Sequence, residues 1–320
     1  MPTPFPVGPV NLYLIEGDEL TLIDTGPNDP ETAPALREQL AARGVAFQDI
    51  RRVIITHAHM DHFGLAAQIV AASGARVYSH PRNRDWLTDY ENESARRQEF
   101  NHQLFAAHGA SRDLLDRMAQ GMRGFRQYAA SVPAENFIPL RGGDAIRLHR
   151  DEWRVLDAPG HASGLIIFYE PQSRVLLSND HLLLNISSNP VIEPPARGET
   201  QRPRMLVDYL ASLAQTARLD VSIAYTGHGA PIDDTRALIA SRVAFHRTRL
   251  DRIEKEIKAG ATTAFELMQI IFPRLKSNDV FLALSEVIGH LDVLEMEGRI
   301  QTAPDDGLIR YLPLRESARV

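Results

Sequence analysis

The sequence predicts an α/β protein with a helical insertion and a small second unit at its C-terminal end. Three observations carry this. Short apolar runs alternate with helical stretches up to His80, and the same plan returns from Trp153 to Ala240. From Arg82 to about Pro133 the text is helical, rich in Arg, Gln, Ala and Met. It is too long for a plain connection inside a compact domain. After Gly260 the pattern changes to two helices and a hairpin. The expected division is a catalytic unit over 1–240, with 82–133 as its lid, and a linking helix with a small domain over 241–320.

The elements follow in order. Val10 to Ile15 and Leu20 to Asp24 read as a hairpin closed around Gly17-Asp18. Pro30-Glu31 opens a helix that runs to about Arg43 and stops at Gly44. Arg51 to Thr56 is a buried strand, Leu65 to Ser73 a helix after the Gly64 break, and Ala75 to Ser79 another strand. Strands are next expected at Ala145 to His149, Trp153 to Leu156, Leu165 to Tyr169, Arg174 to Leu177 and Val221 to Tyr225. Helices are expected over about Pro203 to Ala217 and from Asp233 to Lys258. Thr262 or Thr263 can cap a short helix, with Glu266 near its third position. Val280 to Glu297 is an amphipathic helix, and Asp305-Asp306-Gly307 turns a tight hairpin. Helices followed by a hairpin read as a winged-helix-like unit. Its acids slightly outnumber its bases, so packing or dimerisation is expected of it before DNA binding.

Chemistry concentrates in Thr56-His57-Ala58-His59-Met60-Asp61-His62. Neutral imidazole suits zinc, iron and nickel, and a carboxylate beside it supplies charge and oxygen. An extended His-x-His pair turns both rings to one side, so His57 and His59 can reach one metal. Asp61 and His62 follow where the chain must bend and can face a second. The cluster falls on a strand-to-helix loop, where α/β sheets place their chemistry. Further motifs end later strands: Pro159-Gly160-His161, Asn179-Asp180 and Gly227-His228-Gly229. Asp24-Thr25-Gly26 ends an early one.

This ordered set resembles the metallo-β-lactamase superfamily, over residues 7 to about 240. The resemblance implies a four-layer αββα sandwich. It implies His57, His59 and His161 at a first metal, Asp61, His62 and His228 at a second, and Asp180 bridging the two. Asp24 would support the metal loop by hydrogen bonds. Asn179 departs from a common version of the fourth motif, in which Gly precedes the bridging Asp. The chain has no cysteine, so the site is not the Cys-containing type of some true β-lactamases. His59 stands where flavo-diiron oxygen reductases carry Glu, which argues for hydrolysis.

Two divalent cations, zinc first with iron or manganese also suited, would ionise a bridging water near neutral pH. Asp61 and Asp180 are then the catalytic carboxylates, and Tyr225 is a candidate oxyanion donor. The expected substrate is a thioester or other activated acyl compound, as in glyoxalase-II-like enzymes. The alternatives are an acyl-homoserine-type lactonase, an endoribonuclease or phosphodiesterase, and a mono-iron persulfide dioxygenase. Trp86, Tyr90, Phe100, Phe105, Met118, Met122, Phe125 and Tyr128 on the insertion divide between a local core and an apolar acyl pocket. His80, His102, His108, His149, His181, His246 and His290 lack motif context and are expected at the surface.

Composition narrows the partners. Hydrophobic content of 44% and charged content of 24% are ordinary for a globular protein. A net charge of -6 disfavours a nucleic-acid partner, which needs a basic face. The first residues lack the basic and apolar regions of a signal peptide. No apolar run approaches the ~20 residues needed to span a bilayer. A cytoplasmic enzyme of a small acyl substrate is expected, with a homo-oligomer left open.

Overall fold

A computed structural model describes residues 1–275 and 279–314; residues 276–278 and 315–320 lie outside them. The first half gives β1 (Tyr13–Ile15), β2 (Thr21–Ile23), α1 (Thr32–Ala41), β3 (Arg52–Ile55), α2 (Met60–Phe63), α3 (Ala66–Ser73) and β4 (Arg76–Ser79). The insertion follows as α4 (Arg84–Thr88), α5 (Tyr90–Ala107) and α6 (Arg112–Phe125), and then β5 (Phe137–Pro139). The second half gives β6 (Ala145–Leu148), β7 (Asp151–Asp157), β8 (Ile166–Glu170), β9 (Val175–Asn179), α7 (Met205–Thr216) and β10 (Ile223–Thr226). The chain continues with α8 (Thr235–Lys258), α9 (Ala264–Ile271), α10 (Val280–Met296), β11 (Ile300–Asp305) and β12 (Leu308–Pro313).

Two five-stranded sheets result, in the orders β1-β2-β3-β4-β5 and β10-β9-β8-β7-β6. Each strand shares its apolar residues between two layers, because successive side chains leave a strand on opposite faces. On β3, Val53 and Ile55 pack toward α1 and α3, whereas Ile54 packs between the sheets with Ile23, Val155, Ile166, Phe168 and Leu177. On β8, Ile166 and Phe168 face that same inter-sheet core, and Ile167 and Tyr169 face the helices of the second layer. The four-layer αββα order is the geometric consequence.

β5 is absent from the sequence expectations. It has three residues, the last of them a proline, and it takes its place as an edge strand by parallel pairing with β4. The short helix α2 is absent from them too: Asp61 and His62 stand on it and not on an open loop. Elsewhere the elements fall within a few residues of the expected bounds. α8 is one helix across residue 240 and carries the chain into the C-terminal unit.

In that unit, Thr263 Oγ1 accepts from the Glu266 amide at 3.1 Å, and the Glu266 carboxylate accepts from the Thr263 amide at 3.0 Å. This reciprocal cap starts α9. Thr263→Ala should lower stability by about 1 kcal/mol, read as a smaller midpoint in urea with an unchanged slope. Asp306 and Gly307 both have positive φ, 45° and 79°, as a two-residue turn between right-twisted strands requires. The hairpin packs back on the end of α5. Tyr311 of β12 stacks its ring on His108 at 5.9 Å, and its amide bonds the Thr262 carbonyl at 2.8 Å.

Candidate metal centre

The seven chemically interesting side chains come from the ends of four strands and the helix that follows one of them, and they meet at one edge of the sandwich. β3 leads to His57, and the extended link to α2 delivers His59. The first turn of α2 carries Asp61 and His62. His161 follows β7, Asp180 follows β9 and His228 follows β10. His57 Nε2 lies 3.0 Å from His59 Nδ1, and His57, His59 and His161 form one group whose ligand atoms lie within 4.8 Å of one another. Asp61, His62 and His228 form a second such group. Asp180 stands between them. Its Oδ1 is 3.5 Å from His62 Nε2, and its Oδ2 is 3.5 Å from His161 Nε2 and 3.6 Å from His228 Nε2.

Three of these rings are oriented through Nδ1 and present Nε2. His62 Nδ1 donates to Asp24 Oδ2 at 2.8 Å, His161 Nδ1 to the Asn189 carbonyl at 3.0 Å, and His228 Nδ1 to the Pro9 carbonyl at 2.9 Å. Donation from Nδ1 leaves Nε2 as a lone-pair acceptor, which is how metal-binding histidines are set. Asp24 also accepts from the Thr56 amide at 2.9 Å and from Thr56 Oγ1 at 2.8 Å. It therefore ties the metal loop to the end of β2. Asp24→Asn should fold but let His62 turn, with metal affinity falling about 10- to 100-fold in a competition titration against a chromogenic chelator.

The donor set fits a cation. Buried nitrogen and oxygen atoms normally find hydrogen-bond partners. Here His59 Nε2, His62 Nε2, His161 Nε2, His228 Nε2 and Asp180 Oδ1 are buried with none. Electrostatics agree. Burial holds His57, His59 and His161 below the ordinary imidazole pKa; neighbouring histidines add to the effect, and at His161 Asp180 opposes it without overcoming it, so the three are neutral at pH 7. Burial also opposes charge on His62, but Asp180, Asp24 and Asp61 outweigh it and raise that group well above its usual value. His228 is raised by Asp61 and Asp180 against the same opposition. The carboxylate side of the centre is thus short of positive charge.

Asn179 has φ +46°, in the left-handed region where glycine is free and asparagine is the next most tolerant residue. That explains how Asn can stand where Gly precedes the bridging Asp. Tyr225 belongs with the inter-sheet core, its ring edge-on to Tyr13 at 6.1 Å.

The remaining histidines need correction. His108, His181, His246 and His290 are buried, not at the surface. Each has a partner remote in sequence: Tyr311 Oη for His108, Thr216 Oγ1 for His181, Ser187 Oγ for His246, and His246 for His290. None joins the seven. The insertion aromatics also sort out. Phe105 is core, Phe100 and Met118 pack on that core, and Trp86 and Tyr90 join the cluster beneath the first sheet. Phe125 and Tyr128 instead meet Phe5 at 5.9 and 5.4 Å. Phe5 lies four residues before Pro9, the partner of His228.

A buried His/Asp cluster at the strand ends of an αββα sandwich defines a metal-dependent hydrolase. The chain belongs to the metallo-beta-lactamase superfamily, whose description matches residues 5–228, and residues 250–314 match the metallo-beta-lactamase-like C-terminal domain. It is 38% identical over 301 residues to the probable metallo-hydrolase YqjP of Bacillus subtilis (strain 168), covering 94% of this chain and 92% of that one. A metallo-beta-lactamase family protein from Thermus thermophilus superposes with a TM-score of 0.82 at 31% identity, over 98% of this chain and 96% of the other. A hydroxyacylglutathione hydrolase of Fuscovulum blasticum is 29% identical over 154 residues, 48% of this chain and 41% of that protein. No helix among the described residues is long and apolar enough to cross a membrane.

Proposed function

We propose that this hydrolase is dinuclear and that it cleaves activated acyl compounds, a thioester first among them. The carrying observation is that His57, His59 and His161 form one ligand-spaced group and Asp61, His62 and His228 another, while Asp180 joins His57 and His62 in a third that overlaps both, with buried ring nitrogens left without protein partners. His57, His59 and His161 would hold one cation, and Asp61, His62 and His228 the other, with Asp180 between. When bound, such cations bring the pKa of a coordinated water toward 7 and polarise an acyl carbonyl oxygen. Zinc is the first candidate.

The protein's own work is positioning. Asp24, Pro9 and Asn189 fix three rings, so nitrogen lone pairs are aimed before substrate arrives. Asp61, whose Oδ2 is 3.3 Å from His228 Nε2, would accept a hydrogen bond from the attacking water and orient it. Phe5, Phe125 and Tyr128 offer an apolar wall for the acyl or thiol part. Tyr225 is assigned to packing. The hydroxyacylglutathione hydrolase relative favours a thioester over a phosphodiester, as does the acidic balance of the chain. The unit over 241–320, winged-helix-like in its helix and hairpin order, serves to brace the lid through Tyr311 and His108.

A panel of thioesters, lactones and a single-stranded RNA, assayed with and without chelator, tests the assignment. Chelator-sensitive thioester turnover with two metals per chain is the expected result. RNA cleavage with inert acyl substrates, attenuated steeply by salt, would overturn the substrate class. One iron per chain with oxygen consumption would overturn hydrolysis.

A further inference from the structure

The lid helix carries a second group of unsatisfied polar atoms. Arg97 is buried at 9% exposure and Asn101, one turn later on α5, at 3%. Arg97 Nη2 donates to the Ile192 carbonyl at 3.1 Å. Its Nε is buried without a partner, and no carboxylate lies within 4.0 Å of the guanidinium among the described residues. Both polar atoms of the Asn101 amide are likewise unpartnered. The Arg97 guanidinium lies 5.4 Å from the Trp86 ring and 5.4 Å from the Phe281 ring. Phe281 also meets Phe105 at 5.9 Å. Asn101 sits on the same helix face midway between Arg97 and Phe105, so the polar pair is walled by apolar rings.

This group adjoins the metal centre by two routes. Tyr90 Oη lies 3.1 Å from Met60 Sδ, beside His59, and the Tyr90 ring leans on Trp86, which underlies Arg97. Ile192, which Arg97 holds, is three residues from Asn189, whose carbonyl orients His161. Glu193 is the acid that acts most on Arg97, and its carboxylate is taken up by the Ser163 amide at 3.1 Å and by Ser163 Oγ.

A buried cation without a paired anion is costly, and a buried amide with neither end bonded is costly as well. Both costs fall when an anion is bound by these donors. We propose that Arg97 and Asn101 form a carboxylate-binding subsite on the His59–His161 side of the centre, so that the substrate carries a carboxylate remote from the scissile acyl bond. Arg97 Nε–H and Asn101 Nδ2–H would each donate to one carboxylate oxygen. Charge-assisted bonds of this kind are the strong ones. The inference rests on the acyl-hydrolase assignment for its substrate class, but the subsite itself does not.

The test uses the full-length, metal-loaded protein and two arms. In the first, calorimetry compares succinate with its monomethyl ester; both keep one carboxylate for the metals, so only the second distinguishes them. Succinate should bind about 10- to 100-fold more tightly, and Arg97→Gln should abolish the difference without changing metal content. In the second arm, the S-succinyl thioester of N-acetylcysteamine is compared with the corresponding methyl-succinyl thioester. The wild type should favour the acid in kcat/KM by a similar factor, and the ratio should collapse in Arg97→Gln. A merely structural arginine would lower both substrates in parallel and leave the ratio intact. Should Arg97→Gln fail to fold, Asn101→Leu should narrow the ratio and Arg97→Lys should keep part of it. Equal binding of succinate and its ester to the wild type overturns the subsite, even if both thioesters turn over. Tight, Arg97-dependent succinate binding with no thioester turnover upholds the subsite and sinks the acyl-hydrolase assignment instead.

Discussion

Asp180→Ala should leave a folded protein that holds at most one metal tightly and has lost more than about 100-fold in activity. Groups that only orient a metal ligand cost about 10- to 100-fold when removed, and Asp180, as the proposed bridge, would stand closer to the chemistry than those. Its two oxygens stand 3.5 to 3.6 Å from three ring nitrogens that belong to two different groups. Removing it leaves His62 and His228 without the shared anion that raises both, although Asp24 and Asp61 remain beside them. The loss should therefore fall unevenly on the two metals. Elemental analysis after dialysis, set beside turnover, reads both quantities at once. Undiminished turnover with two retained metals would show that Asp180 does not bridge.

How much of this was legible beforehand depends on what each feature needs. His57, His59, Asp61 and His62 lie within six residues, and His161, Asp180 and His228 each end an apolar run beside Gly or Asn, so residue type and position suffice. The groups that aim them are harder to read. Pro9 and Asn189 act through backbone carbonyls, and a carbonyl has no residue signature. β5 pairs with β4 through three residues and has no periodicity to detect. The buried histidines escaped because their partners are remote: His108 meets Tyr311 across 203 positions, and His181 meets Thr216 across 35. Arg97 and Asn101 did leave a signal, a polar pair four residues apart on a face that continues to Phe105. On a helix this polar such a pair is indistinguishable from a solvated one until the fold buries it.

Gly227→Ala should disable the centre while barely changing stability. A Cβ built on Gly227 overlaps Asp180 Oδ1 and comes within 3.1 Å of His62 Cε1. The backbone there cannot yield easily, because the Gly227 carbonyl accepts from the Asn11 amide at 2.7 Å and the neighbouring His228 ring is held on Pro9. Asp180 is the softer partner: its carboxylate is the free end of a side chain and can swing away. A side chain forced off its rotamer costs about 1 kcal/mol, so the melting temperature should move little. Catalysis is less forgiving, since a displacement of about 1 Å at a reacting centre costs about 100-fold. Gly227→Ala should thus resemble Asp180→Ala in metal content and turnover, although every ligand is still present. If instead it binds two metals and turns over normally, the close packing of Gly227 against Asp180 has no part in setting the centre. Combining the two substitutions sharpens the point: with Asp180 already replaced by alanine, adding Gly227→Ala should cost far less than it does alone, because the group it overlaps is gone and the 3.1 Å approach to His62 Cε1 is what remains.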